Sequence, residues 1–275
     1  MTPLKILTFD HMKLSVIVAF YKNIPFLDMI FKGLNKQTYT DFEVVVAEDD
    51  DAAATIEFLK EQSALLTFPI LHVSQKDDGF RKDEILNKAV IAATGEFLVF
   101  LDGDCIPHRR LLKEYVSRAG EGIAFAGRRL MVSEALTKKI VKTRDLKYLS
   151  LYYQAKYGSK RLEDGVYLPF YRKGASNGLM GCNWGILKKH LVDVNGFDED
   201  YVSAGVGEDV DIEWRLVRSG IRLESMKHRA IVYHLHHKVH YVMEDAAPNY
   251  AMMKTKQELG GVYCVNGLDK HLPKK

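Results

Sequence analysis

The run Leu14 to Phe20 constrains the fold of this chain most, because its apolar residues follow one another without the polar alternation of a half-exposed strand. A β-branched run of this length is a strand buried on both faces, which requires helices packed above and below a largely parallel sheet. The following residues continue the pattern. Ile24, Leu27, Phe31 and Leu34 fall at helical spacing, Phe42 to Ala47 form a second apolar run, Thr55 to Ser63 read as a helix and Pro69 to Ser74 as a third strand. A polar loop, Gln75 to Arg81, precedes a helix with Ile85, Leu86, Ala89, Val90 and Ala93 on one face; Gly95 ends it, and Glu96 to Leu101 form a fourth strand. Strands alternating with helices predict an α/β fold with a mostly parallel central sheet, right-handed crossovers, and ligands at the carboxyl ends of the strands.

Beyond Pro107 the pattern is less regular. It suggests a helix to about Arg118, a short strand near Ala124, and helices with a mobile loop in the Lys-, Arg- and Tyr-rich stretch from Lys138 to Arg172. A second ordered section runs from Gly178 to Tyr233 and includes a helix bearing Val210, Ile212, Trp214, Leu216 and Val217, ended by Gly220. Met1 to His11 fit no pattern and read as an extension. With 39 Lys+Arg against 36 Asp+Glu, the charge is too small to indicate nucleic acid as a partner. Cys105, Cys182 and Cys264 lack zinc spacing and read as reduced thiols of a cytoplasmic protein. No run approaches the roughly 18 apolar residues needed to cross a bilayer, so the chain is expected to be soluble, in the cytoplasm or peripheral at the inner face of the membrane.

Three short segments carry chemistry. Asp102-Gly103-Asp104 follows the fourth strand on a tight turn where glycine allows close backbone approach, a geometry that suits a hard divalent cation bridging two phosphates. Gly207-Glu208-Asp209 opens a helix, where free N–H groups favour anionic side chains, and such a carboxylate can serve as a general base. Tyr233-His234-Leu235-His236-His237 ends an apolar run, and imidazole joins carboxylates as a ligand for Mn²⁺. Each also has an ordinary reading: a solvated turn, the usual acidic first turn of a helix, and a histidine cluster at a strand end.

Taken together, these pieces resemble glycosyltransferase family 2, in the branch that includes bacterial chondroitin polymerase domains and is similar to the galactosyltransferases. The resemblance covers Lys13 to about His237 and rests on five segments in the family's order: Ser15-Val16-Ile17-Val18-Ala19-Phe20-Tyr21, Phe42-Glu43-Val44-Val45-Val46-Ala47-Glu48-Asp49, Asp78-Gly79-Phe80-Arg81, Asp102-Gly103-Asp104 and Gly207-Glu208-Asp209. It implies a GT-A, Rossmann-like fold with one domain over residues 12–240, split into a nucleotide-binding half (12–106) and an acceptor- and sugar-binding half (107–240). Residues 241–275 would then be a C-terminal extension, helical or flexible. Residue by residue, the resemblance puts Phe20 and Tyr21 by the donor nucleotide, Glu48 at the uracil, Arg81 and Asn87 near the nucleotide, and Asp102 and Gly103 by the ribose and metal. Asp104 becomes the main carboxylate ligand and His234 the metal-binding histidine, with His236 as its substitute. Asp209 takes the acceptor proton, Glu208 helps to hold the acceptor, and Asn183 and Trp184 line the sugar pocket.

The activity so implied is transfer of a hexose or N-acetylhexosamine from a UDP-sugar to a hydroxyl acceptor, with Mn²⁺ or Mg²⁺ as cofactor. One base and no enzyme nucleophile imply a single displacement with inversion. The expected partners are the nucleotide sugar and a glycan or lipid-linked acceptor. The Gln-x-x-Arg-Trp motif of processive members is absent, so one or a few sugars per acceptor are expected. Two departures bear on specificity: Gly205-Val206-Gly207 stands where galactosyltransferase-like members have Trp-Gly-Gly, and Glu48 stands where Asp is more usual. Two other functions compete. A sugar nucleotidyltransferase would need a glycine-rich loop after the first strand, which Phe20-Tyr21-Lys22-Asn23 does not offer. A carbohydrate-binding scaffold would use Tyr148, Tyr152, Tyr153 and Tyr157 as a platform, although their helical spacing favours core packing.

Overall fold

The computed structural model describes residues 12–171, 174–176, 178–203, 208–238 and 243–273, with backbone only for 243–246. Among them, ten strands form two sheets: β1 (Leu14–Phe20), β2 (Phe42–Glu48), β3 (Ile70–Ser74), β4 (Phe97–Asp102), β5 (Cys105–Pro107), β6 (Ile123–Ala126), β7 (Arg128–Met131), β8 (Asn183–Leu187), β9 (Arg222–Ser225) and β10 (Ile231–His234). The larger sheet has the order β3-β2-β1-β4-β8-β6-β9, and the smaller β5-β10-β7. β3, β2, β1 and β4 are parallel, whereas β8 runs against both β4 and β6.

The unbroken apolar runs exist because both faces of the sheet are covered. Leu14, Val16, Val18 and Phe20 point with Val44, Val46, Val99 and Leu101 into one core, closed by Leu27, Ile30, Phe31 and Leu34 of helix Ile24–Leu34 and Leu59 of helix Ala53–Ser63. Ile17, Val45, Leu98 and Phe100 point the other way, against Ile85, Leu86, Ala89 and Val90 of helix Lys82–Ala92. Each such side chain, fully buried, contributes about 1.5–3 kcal/mol. β1 pairs with β2 on one side and β4 on the other, so the strand order reverses beside it and a crevice opens at the carboxyl ends. The register sets Phe20 opposite Glu48 and Ala19 opposite Asp102, which levels the two acidic strand ends.

The smaller sheet sits past the end of β4. β10 pairs antiparallel with β5, bringing His234 opposite Cys105, and parallel with β7. Asn183, fully buried, ties the sheets together: its amide donates to the Arg128 and Ala230 carbonyls at 3.0 Å each and its oxygen accepts from Tyr115 Oη at 2.8 Å. Tyr148, Tyr153 and Tyr157 pack half-buried against the core of this sheet, while Tyr152 is exposed. Sequence reasoning did not anticipate β5, β7, β8 and β9, which are only three to five residues long and carry no usable alternation.

The C-terminal segment is helical over Met243–Leu259 and then returns to the core. Leu268 packs against the helix Lys82–Ala92 side of the sheet, and its N–H donates to the Asn195 carbonyl at 2.9 Å. No helix among the described residues is long and apolar enough to cross a membrane. If residues 264–271 are part of the core, Leu268→Ala should lower stability by about 2–4 kcal/mol in urea unfolding with an unchanged slope; a change under about 0.5 kcal/mol would mark the segment as an appendage.

Candidate active site

The levelled ends of β1, β2 and β4 form the floor of a cleft of about 840 Å³, walled by Phe20, Tyr21, Asn23, Asp49, Phe80 and Lys82 and reaching Asp102, Gly103, Asp104 and His237. Gly103 is required here by space: a Cβ would stand 2.8 Å from the Ala19 carbonyl oxygen, so any larger residue would push the acidic turn off β1.

Asp104 stands where the two sheets meet. The antiparallel pairing of β5 with β10 delivers His234, whose Nε2 lies 3.3 Å from Asp104 Oδ2, and the chain then turns so that His237 Nε2 lies 2.9 Å from the same oxygen. One ligand atom from each of the three residues falls within 4.8 Å of the others. Burial raises the Asp104 pKa, but the hydrogen bond from His237 and the charge of His234 outweigh it and hold the carboxyl below its usual range. The hydrogen bond to Asp104 pushes His237 up to about 9, whereas burial holds His234 below its ordinary value. A carboxylate with two imidazoles fits Mn²⁺ or another borderline transition ion better than Mg²⁺, which prefers an all-oxygen shell. His236 is exposed and anchored instead by its backbone N–H, which donates to Thr137 Oγ1 at 2.9 Å.

A second charged group lies deeper. The Lys82 ammonium donates to Asp102 Oδ1 at 2.8 Å and to Glu208 Oε1 at 2.5 Å, joining the end of β4 to the first residue of helix Glu208–Arg218. Burial opposes the lysine charge, but the two carboxylates overcome it and hold Lys82 well above its usual range. Burial raises Glu208 against the pull of Lys82, with Asp102 and Asp209 adding to the rise. Asp209 Oδ2 accepts from the Gly181 N–H at 3.2 Å. Glu208 and Asp209 line a narrow cavity of about 10 Å³ with Lys82, Asp102 and Trp184, and Trp184 is stacked on Phe100 at 4.4 Å. Nearby Asp83 is buried with neither carboxyl oxygen hydrogen-bonded, and burial raises its pKa well above the usual carboxylate range, with the charge of Glu208 adding to the rise.

Several residues implied by the resemblance are placed elsewhere. Glu48 is fully buried and turned away from the cleft, accepting from Thr55 Oγ1 at 2.5 Å and paired with His72 Nε2 at 2.7 Å; its neighbour Asp49 is the one at the cleft wall. Asp49 is itself engaged, taking the Arg81 N–H at 2.8 Å and Gln75 Nε2 at 2.7 Å. The Arg81 guanidinium folds back on the Phe80 carbonyl at 2.9 Å. Asn87 does not reach the cleft: it brackets the Phe197 backbone at 2.8 Å on both sides and donates to Glu199 Oε1 at 2.9 Å. Asn183 is the tie between the sheets described above. Gly205, Val206 and Gly207 lie outside the described residues.

The model of glycosyl transferase family 2 matches residues 15–189, more than half of the chain. The chain belongs to glycosyl transferase family 2. A second model, the N-terminal domain of galactosyltransferase, matches residues 166–238, the part that carries Asp209 and His234. This family 2 glycosyltransferase is 26% identical over 248 residues to the chondroitin synthase of Escherichia coli, covering 80% of the chain and 34% of that protein. It is 30% identical over 105 residues to the poly(ribitol-phosphate) beta-N-acetylglucosaminyltransferase TarS of Staphylococcus aureus, covering 38% of the chain and 18% of that protein. The chain thus spans about a third or less of these relatives. Its GT-A fold is shared with the mannosyltransferase PcManGT of Pyrobaculum calidifontis, solved with GDP-Man and Mn²⁺ (TM-score 0.63, 18% identity, 90% of this chain and 64% of that one). It is shared too with residues 1–349 of S. aureus TarS, solved with UDP-GlcNAc (TM-score 0.62, 19% identity, 89% of this chain and 66% of that one).

If Asp104, His234 and His237 hold a cation, the ion must displace the His237 proton, so affinity for Mn²⁺ should rise as pH climbs from 6.5 to 8.5, by up to about tenfold per unit below the His237 pKa. Calorimetry should show proton release on binding. His237→Ala should weaken binding and flatten the slope, and His236→Ala should change neither; the reverse pattern would move the site to His236.

Proposed function

We propose that the protein is a metal-dependent, inverting glycosyltransferase that moves a hexose or N-acetylhexosamine from a UDP-sugar to a hydroxyl of a glycan or lipid-linked acceptor. The observation that carries this reading is a carboxylate-imidazole centre at the end of one cleft and the Glu208-Asp209 pair in a small cavity beside it, with Asp102 and Lys82 lining both. The TarS structure holding UDP-GlcNAc and the PcManGT structure holding GDP-Man and Mn²⁺ support the donor class and the cation.

Asp104, His234 and His237 would hold the cation. A divalent ion there supplies positive charge against which a diphosphate can leave. Phe20, Tyr21 and Phe80 offer apolar walls to the nucleotide, and the carboxylate at the cleft wall is that of Asp49. On the far side, Asp209 takes the proton of the acceptor hydroxyl as its oxygen attacks the anomeric carbon; the bond to the diphosphate oxygen breaks and UDP departs. With the base opposite the leaving group, attack is in line and the configuration inverts. A lipid-linked acceptor would bring the lysine-rich helix Glu134–Thr143 against an anionic membrane surface.

Released UDP, measured across a panel of UDP-sugars with and without Mn²⁺, tests this reading: turnover should depend on the ion and vanish with chelator. Asp209→Asn should lower transfer by about 10²–10⁴-fold, the usual worth of a general base, and leave UDP affinity within about threefold. Undiminished transfer in that variant would remove Asp209 as the base.

A further inference from the structure

Lys82 has no part in the transfer step as written, yet it stands at its centre. It belongs with Asp102 and Ala19 to the walls of both the donor cleft and the small cavity beside Asp209, so it lies on the partition between the two. Its backbone is part of the rigid nucleotide half: it opens helix Lys82–Ala92, directly after Arg81, whose N–H is held by Asp49 at the end of β2. Its ammonium reaches 126 residues along the chain to Glu208, the neighbour of Asp209.

The rest of helix Glu208–Arg218 is fastened to the other half. Asp209 is held by the Gly181 N–H, Glu213 by the Leu179 N–H at 2.7 Å, and Arg215 donates to the Val194 and Gly196 carbonyls at 2.8 Å each. The approach at Gly181 is tight, since a Cβ there would stand 2.7 Å from Glu208 Oε1. The Lys82 bridge is therefore the link, at this helix's first turn, between the carboxylates on the acceptor side and the frame that carries the acidic end of β4. Without it, Asp102 and Glu208 would face each other as like charges in a part-buried site, and each would turn towards water.

We propose that Lys82 is a positioning residue: by holding Glu208 against Asp102 it fixes where the Asp209 carboxylate stands relative to the bound donor. The proposal rests on the transferase reading above. It requires that Lys82 act through Glu208 and not as a ligand of the donor phosphates. A misplacement of about 1 Å in such a site can cost around a hundredfold in rate without changing how the donor is held.

The test is a double-mutant cycle on the full chain with Lys82→Met, Glu208→Gln and the two combined. Turnover is read as UDP released, with water as acceptor, from whichever of UDP-glucose, UDP-galactose, UDP-N-acetylglucosamine and UDP-N-acetylgalactosamine the wild type uses. Lys82→Met should lower kcat by about a hundredfold with donor KM moving less than about threefold. In the Glu208→Gln background the same substitution should cost less than about fivefold, because its partner is already gone. Lys82→Arg, which keeps the charge, should recover about tenfold of the loss. Equal losses in both backgrounds, or a loss seen in KM with kcat intact, would overturn the proposal. Should Lys82→Met fail to fold, Lys82→Arg carries the same cycle, and an equal kcat loss with and without Glu208 overturns it. A wild type that turns over none of the four donors refutes the UDP-sugar reading on which the proposal rests, a result distinct from either.

Discussion

The register of β1 against its two neighbours is the constraint on which the rest of the site depends. Pairing Phe20 with Glu48 and Ala19 with Asp102 sets the ends of three strands at one level, and the chain leaves two of them, β2 and β4, with carboxylates in hand. A slip of one residue would turn Ile17 and its neighbours into the wrong core, so burial on both faces enforces the register far more strongly than hydrogen bonds could alone. The close approach of Gly103 to the Ala19 carbonyl then locks the acidic turn onto the strand beside it.

On that floor the remaining groups are delivered by structure from distant parts of the chain. The smaller sheet carries His234 to Asp104 through a three-residue pairing, and Lys82 brings the start of a late helix to the end of β4. Buried amides fix these parts relative to one another: Asn183 between the sheets, and Asn87 between helix Lys82–Ala92 and the backbone at Phe197. The side-chain oxygen and nitrogen of both amides have their partners inside the protein, which is what a rigid frame around a charged cleft needs.

Much of this was legible beforehand. The first four strands and their helices follow from runs and spacings, and the acidic groups at Asp102, Asp104, Glu208 and Asp209 stand out because carboxylates at strand ends and helix starts are chemically pointed. What could not be read is which way a side chain turns. Glu48, Asn87 and Asn183 have residue types suited to a ligand, yet their hydrogen bonds go inward, and nothing local distinguishes an inward amide from an outward one. The resemblance offers His236 as the substitute for His234, but β10 ends at His234 and the chain then turns, so that His237 comes round to Asp104 instead. Lys82 gave no signal because its meaning lies in a partner 126 residues away.

The central claim is that one cleft holds both the cation and the nucleotide. Pulsed electron paramagnetic resonance of the protein with Mn²⁺ and UDP addresses it directly. The account predicts nitrogen couplings from two imidazoles and phosphorus couplings from the diphosphate on the same manganese, with one imidazole lost in His237→Ala. Phosphorus coupling without any imidazole nitrogen, or no bound manganese at all in the presence of UDP, would contradict it.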